Sequence, residues 1–324
     1  TVMGGIPVAA VVGPTASGKS KLAAVIAKNF GGEVVSADSM QIYKGMDIGT
    51  AKPSKEEMLG VPHHLIGFLE PGEPFSAADY VEAASKTIRE ICARGHLPVI
   101  AGGTGLYVRS LLYNISFPPE SRDPGLRAAL YEKAEKEGAK ALWDELRSFD
   151  PEAAAKIHPN NLGRTVRAIE IYRVTGVTMT EHVRRSREAP TPYDVCAIGL
   201  TFSDRAALYG RINVRVDKMV ADGLPEEARK IAGLKNAPTA MQAIGYKEFI
   251  PYFEGRCTLG DSVEQIKRET RRYAKRQLTW FRRGAGIHWI TVDACADFAE
   301  EYGRAAEFIE AKGWRRWTAA DQKD

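Results

Sequence analysis

Gly13-Pro14-Thr15-Ala16-Ser17-Gly18-Lys19-Ser20 follows the apolar run Pro7-Val8-Ala9-Ala10-Val11-Val12 without a break, and Lys21-Leu22-Ala23-Ala24-Val25-Ile26-Ala27 opens a helical pattern behind it. The spacing G-x-x-x-x-G-K-S between a strand and a helix reads as a phosphate-binding loop. Its glycines let backbone N–H groups converge on phosphate oxygens, Lys19 adds a point charge, and Ser20 offers a hydroxyl to Mg²⁺. The helix N-terminus behind the loop adds a favourable dipole for an anion. Gly13, Thr15, Ala16, Ser17, Gly18, Lys19 and Ser20 are therefore the expected phosphate ligands, with Ser20 also the expected metal ligand. The motif selects a phosphate and leaves its carrier open: the end of a nucleoside triphosphate or the diphosphate of an organic ester would fit equally.

Outward from this loop, short apolar runs at Glu33–Ser39, His64–Leu69 and Leu97–Ala101 alternate with helical patterns such as Ala77–Arg94. Alternating strand and helix is the signature of a parallel sheet covered on both faces. Between about Phe117 and Pro192 the pattern changes to Ala-, Glu- and Arg-rich stretches (Gly125–Glu137, Ala139–Phe149, Leu162–Val174) punctuated by Pro118-Pro119, Asp150-Pro151 and His158-Pro159. Strand-like Val195–Phe202 then resumes the core, with Ile287–Val292 a last strand and Asp297–Lys312 a last helix. The expected fold is α/β: a P-loop NTPase-like parallel sheet flanked by helices, formed by residues 1–116 and 193–324, with an all-helical insertion at 117–192.

Composition narrows the class. The chain has 324 residues, 44% of them hydrophobic and 27% charged, enough for one large or two smaller cores. Cys92, Cys196, Cys257 and Cys295 are scattered without a C-x-x-C pair, so neither a zinc site nor a disulfide framework is expected, and reduced thiols in a cytoplasm are the simplest reading. The N-terminal apolar stretch lacks a basic leader and is used by the first strand, and no apolar run of about 18 residues occurs. A cytoplasmic protein with no membrane association and no obligatory protein partner is expected. A net charge of +4 is mild, so the placement of charge matters more than its sum.

Asp38, in Ser36-Ala37-Asp38-Ser39-Met40-Gln41-Ile42-Tyr43, closes the second strand at the carboxyl edge of the sheet, where open α/β folds bind ligands. Three roles compete for it: a Mg²⁺-binding carboxylate, a general base on the acceptor, or a plain turn or cap. The base is favoured, because a base must sit within hydrogen-bond reach of the attacking atom and this strand end offers that place. Gly102-Gly103-Thr104-Gly105 follows another strand onto the same edge, its glycines permitting close backbone approach to a ligand. His63-His64 lacks a third ligand of suitable spacing, which favours a packing role over a metal site. Residues 267–283 carry eight basic side chains and one acid; on a helix Ile266, Tyr273 and Trp280 dock on the core while Arg268, Arg272, Arg276 and Arg283 form a basic stripe suited to a phosphodiester backbone.

Together these motifs resemble the tRNA dimethylallyltransferase (tRNA isopentenyltransferase) family over nearly the whole chain. The resemblance rests on GPTASGKS at Gly13–Ser20, DSMQIY at Asp38–Tyr43, PHHL at Pro62–Leu65, GGTGLY at Gly102–Tyr107, HPNN and RTVRAIE within His158–Glu170, RVDKM at Arg215–Met219, GLPEE at Gly223–Glu227, AIGYKE at Ala243–Glu248 and YAKRQLTWFR at Tyr273–Arg282. The absence of a Cys/His zinc module after them resembles the bacterial branch. Position 163 is Gly where the family pattern has a polar or basic residue, and Ile169 replaces the usual Leu.

The resemblance implies transfer of a dimethylallyl group from dimethylallyl diphosphate to the N6 amine of adenosine 37, beside the anticodon of tRNA. It implies Asp38, Thr104 and Arg215 as catalytic residues: Asp38 takes the proton, Thr104 helps hold donor or amine, and Arg215 joins Lys19 and a Ser20-bound Mg²⁺ on the departing diphosphate. It implies Ser39, Met40, Gln41, Gly163, Arg164, Thr165, Val166, Arg167, Arg272 and Arg276 as tRNA contacts, with the helical insertion on the anticodon stem-loop and the target base flipped from its stack. Two alternatives remain from the same loop, a small-molecule kinase using ATP and an RNA-binding NTPase. The basic stripe disfavours the first; the second lacks a separate water-positioning carboxylate after Val99-Ile100.

Overall fold

The computed structural model describes residues 5–115, 124–188, 190–234 and 236–315. The chain divides into two compact units, Thr1–Leu111 with Pro192–Asp324, and Leu112–Thr191. The expected insertion start near Phe117 and the Pro118-Pro119 pair lie outside the described residues.

In chain order the elements are β1 (Ile6–Val12), α1 (Lys19–Asn29), β2 (Gly32–Ser36), β3 (His63–His64), α2 (Ala77–Ala93), β4 (Leu97–Gly102) and α3 (Gly105–Leu112). The second unit contributes α4 (Pro124–Glu137), α5 (Ala139–Phe149), α6 (Pro151–Lys156), α7 (Leu162–Thr175) and α8 (Met179–Glu188). The first unit resumes with β5 (Tyr193–Thr201), α9 (Arg205–Ala221), α10 (Leu224–Ala232), α11 (Pro238–Met241), α12 (Ile250–Phe253), α13 (Leu259–Phe281), β6 (Ile287–Thr291) and α14 (Phe298–Glu310).

The strands form one sheet in the order β3-β2-β4-β1-β5-β6, every neighbouring pair parallel. Crossover helices therefore cover both faces, which is why β1, with Val8 to Val11 fully buried, is a continuous apolar run instead of an alternating one. One core packs Leu22, Ile26, Val34, Val99, Ile198 and Ile309 about the sheet; another gathers Ile42, Met46, Ile212, Leu224, Phe249 and Ile266 around α9, α10 and α13. Local chemistry sets where the long helices start: Ser76 with Asp79, and Thr258 with Asp261, form reciprocal capping boxes on α2 and α13.

Two strands are shorter than their apolar runs suggest. The run His64–Leu69 joins the sheet only at His63–His64, against Val34 and Val35, and its far end makes a single parallel bridge from Leu69 to Tyr43. Leu65, at φ 59°, and Gly67, at φ 58°, turn the chain left-handed and end the extended segment. In β2 the ladder stops at Ser36, because the Asp38 carboxylate accepts the amides of Met40 (2.9 Å) and Gln41 (3.3 Å) and starts a turn.

Among its described residues the second unit contains helices only. Leu130, Leu142, Leu146, Val166 and Ile169 form its core. Glu170, buried at 1% exposure, is compensated by Arg127 (2.7 Å) and Arg167 (2.9 Å). Among the described residues no helix is long and apolar enough to cross a membrane.

Candidate active site

Strand register brings three loops to one edge of the sheet. Val12 pairs with Gly102 and Ser36 with Ala101, so the phosphate loop, the Asp38 turn and Gly103-Thr104 all leave the sheet at the same level. The phosphate loop takes left-handed backbone at Ala16 (φ 61°) and Gly18 (φ 97°). Gly18 is also the N-cap of α1 and offers no side-chain acceptor, so the first-turn amides remain available to an anion.

A cavity of about 1080 Å³ opens at this edge. Thr15, Ala16, Gly18, Lys19 and Ser20 line it, together with Asp38, Gln41, Arg215, Tyr273 and Gln277. Gly13, Pro14 and Ser17, the remaining loop residues, are buried and do not line it. A second cavity, about 310 Å³, is lined by Ser39, Met40, Gln242 and Arg276 and by the apolar faces of Ile212, Val216 and Leu224. Thr15, Asp38, Arg215 and Tyr273 face both. Asp38 and Arg215 thus stand between the chamber that begins at the phosphate loop and the smaller one beside it.

The charges there are held under tension. Burial, reinforced by the neighbouring Arg215 cation, lowers the Lys19 ammonium to about 8 despite the opposing pull of Asp38. Burial likewise disfavours the Arg215 charge, against the attraction of Asp38 and then Glu57. Burial and the Asp38 carboxylate push the Tyr273 phenol up to about 12, so it stays protonated at neutral pH. Lys19 and Arg215 thus stand as a pair of half-buried cations beside Asp38 at the phosphate loop, placed to meet the charge of a polyanion.

Several groups hold the loops in register. Thr104 Oγ1 accepts the Ser39 amide at 3.0 Å. Gln277 accepts the Thr15 amide at 2.8 Å and donates to the Gly103 carbonyl at 3.0 Å. Arg211 donates to the Ala16 carbonyl at 2.9 Å. Glu227 accepts the amides of Asp47, Ile48 and Gly49 and the Tyr246 hydroxyl, fixing a cavity-lining loop. The glycines of Gly102-Gly103-Thr104-Gly105 admit the protein's own chain: a Cβ would lie 2.2 Å from the Ala37 carbonyl oxygen at Gly102, which also lines the larger cavity, 2.1 Å from Gln277 Nε2 at Gly103 and 2.1 Å from the Trp280 ring at Gly105.

The expected RNA-facing residues divide. Ser39, Met40 and Arg276 line the smaller cavity and Gln41 the larger. Arg268, Arg272 and Arg276 on α13, and Arg283 just beyond its end, are exposed. The stripe is more neutralised than its composition suggests, because Arg272 pairs with Glu269 (2.6 Å) and Lys267 with Asp217 (2.8 Å) and Glu264 (3.0 Å). In the second unit Gly163 and Arg164 are exposed, and Arg167 is half-buried against Glu170. Thr165 (0% exposed) and Val166 (1%) do not present side chains to a ligand: Thr165 Oγ1 bonds the Asn161 carbonyl and Val166 packs in the core. Helix periodicity is the reason, since α7 turns these two positions inward.

The donor set suits a phosphate-bound Mg²⁺ better than a protein cage. Ser20 contributes a hard hydroxyl oxygen at the cavity, and among the described residues no group of three or more His, Cys, Asp or Glu could hold an ion. His64 Nε2 lies 2.6 Å from buried Glu33, which also binds Arg94 and His96, while His63 Nδ1 meets the Val61 carbonyl at 2.8 Å.

Comparison with known proteins joins these features. The family model described as IPP transferase matches residues 41–284. The chain belongs to this family. A tRNA dimethylallyltransferase of Geobacillus thermodenitrificans is 48% identical over 304 residues, 93% of this chain and 96% of that protein. One of Bacillus subtilis is 50% identical over 293 residues, 90% and 92% of the two chains. The crystal structure of the full-length tRNA isopentenylpyrophosphate transferase of Bacillus halodurans superposes with a TM-score of 0.69 at 45% identity, covering 95% of this chain and 98% of that one. A eukaryotic dimethylallyltransferase acting on tRNA gives a TM-score of 0.78 at 28% identity, covering 93% and 77%.

In this IPP transferase, Gln277, Glu227 and Tyr273 fall within motifs that carry the family resemblance, but the sequence assigned none of them a role at the site, and Tyr273, expected to dock on the core, lines both cavities. Gln277 lies 262 positions from Thr15 and 174 from Gly103, and no spacing rule spans such separations.

Proposed function

We propose that this chain transfers a dimethylallyl group from dimethylallyl diphosphate to the N6 amine of adenosine 37 in tRNA. The observation that carries the reading is that Asp38 and Arg215 face both cavities, one beginning at the phosphate loop. The donor's diphosphate meets Lys19, the loop amides and Arg215 in the larger cavity, and the flipped adenine enters the smaller one past Ser39, Met40 and Arg276.

The exocyclic amine is a weak nucleophile because its lone pair is delocalised into the purine. As the bond from N6 to the allylic carbon forms, the bond from that carbon to the diphosphate oxygen breaks, and its electron pair leaves on the diphosphate. Asp38 takes the amine proton, a role worth roughly 10²–10⁴-fold. Charge growing on the leaving group is met by Lys19 and Arg215, which are already desolvated and need no reorganisation. Mg²⁺ bound at Ser20 would add compensating positive charge on the diphosphate oxygens. Thr104 keeps the Asp38 turn in place through Ser39. Exposed Arg164 and the stripe on α13 supply phosphate contacts, with the second unit on the anticodon stem-loop. The cytoplasm, where tRNA is found, is the proposed location.

Incubation with radiolabelled dimethylallyl diphosphate and with labelled ATP, each with tRNA, tests the reading. Label on adenosine 37 from the first donor alone is expected; phosphate transferred from ATP instead would replace it with the kinase alternative. Asp38→Asn should lower single-turnover transfer at least about 10²-fold while donor binding persists, and a rate near wild type would remove Asp38 as the base.

A further inference from the structure

Gln277 joins the two loops whose separation the proposed reaction depends on. It is 5% exposed on α13. Its side-chain oxygen takes the amide of Thr15 in the phosphate loop, and its side-chain nitrogen gives a proton to the carbonyl of Gly103. Gly103 precedes Thr104, which in turn holds the Ser39 amide beside Asp38. A short chain of hydrogen bonds therefore runs from the loop that grips the diphosphate to the turn that carries the base. An amide of this length satisfies both ends whatever the pH: asparagine is one methylene short, and a carboxylate of the same length accepts from Thr15 but can donate to Gly103 only when protonated. The absence of a Cβ at residue 103 belongs to the same arrangement, since one would stand 2.1 Å from Gln277 Nε2.

We propose that Gln277 is a positioning residue for prenyl transfer, setting the spacing between the donor's reacting carbon and the base through Thr15 and Thr104. The inference rests on the transferase reading above. Because it concerns alignment and leaves the phosphate ligands in place, its signature is a loss of rate without an equal loss of affinity.

The test compares wild type with Gln277→Met and Gln277→Glu, reading binding of inorganic diphosphate by calorimetry, single-turnover transfer at saturating donor and tRNA, and thermal stability. Gln277→Met should bind diphosphate within about threefold of wild type yet transfer about 10²-fold more slowly. In Gln277→Glu a protonated carboxyl reproduces both hydrogen bonds, and burial raises its titration above the ordinary carboxylate range, so its rate relative to wild type should climb between about pH 8 and about pH 6. The same ratio for Gln277→Met should stay flat. Transfer by Gln277→Met within about threefold of wild type, or a loss lying wholly in diphosphate affinity, overturns the proposal. If Gln277→Met does not fold, the pH dependence of the Gln277→Glu ratio decides alone, and a flat ratio overturns it. Absence of transfer by wild type would instead refute the transferase reading.

Discussion

Thr104 Oγ1 accepts the main-chain amide of Ser39 across 3.0 Å and lies 3.3 Å from the Ser39 hydroxyl. A residue from the end of β4 thus sets the turn that begins at Asp38, and the hydroxyl works as a brace on the base. Thr104→Ser should keep transfer within a few-fold, whereas Thr104→Val leaves the Ser39 amide unmatched and should lower kcat by about tenfold or more. Steady-state transfer to tRNA checks this; equal rates for both variants would deny the brace.

Lys19 titrates at about 8, below its ordinary value. Diphosphate favours the protonated ammonium, so binding takes up a proton above that pH and affinity falls as pH rises through about 8. Calorimetric titration of inorganic diphosphate across this range should show it, and in Lys19→Met the same titration should lose the dependence.

Glu33 connects acid stability to the sheet edge. Arg94, His96 and His64 bonds outweigh the burial penalty and depress its carboxyl to about 2. A folded-state value below the unfolded one means the stabilisation is complete above about 4.5 and lost as pH falls toward about 2, on the order of 3 kcal/mol in all. Urea midpoints should drop across that window in wild type and drop less in Glu33→Gln.

Arg276 and Arg272 separate two uses of the basic stripe. Arg276 lines the cavity with Asp38, whereas Arg272 is exposed and paired with Glu269. Arg276→Ala should lower both tRNA affinity and transfer rate; Arg272→Ala should affect affinity alone, and weakly. The double variant should flatten the salt dependence of tRNA binding by up to about two units of slope, and an unchanged slope would make the stripe an ordinary solvated face.

Gly105 leaves no room for a side chain beside Trp280. Gly105→Ala must displace the indole or the start of α3, which should cost about 1–3 kcal/mol. A melting temperature equal to wild type would show the strain relieved elsewhere.

Local chemistry carries the phosphate loop, the parallel α/β alternation, the helical insertion and the placement of Asp38, because each depends on residues adjacent in the chain: a glycine spacing, an apolar run, a capping pair. The same local rules overextend the strand after His63, where only the left-handed backbone at Leu65 and Gly67 ends it. The resemblance places Thr165 and Val166 among the tRNA contacts, whereas α7 packs and turns both inward. Gln277 on Thr15 and Gly103, Glu227 on the loop at Asp47–Gly49, and Trp280 against Gly105 became defined only once the chain closed on itself. Sequence patterns decide which groups exist and which strand edge they leave from; the packing of α9, α10 and α13 decides which of them meet, because a hydrogen bond between residues more than a hundred positions apart has no local periodicity to announce it.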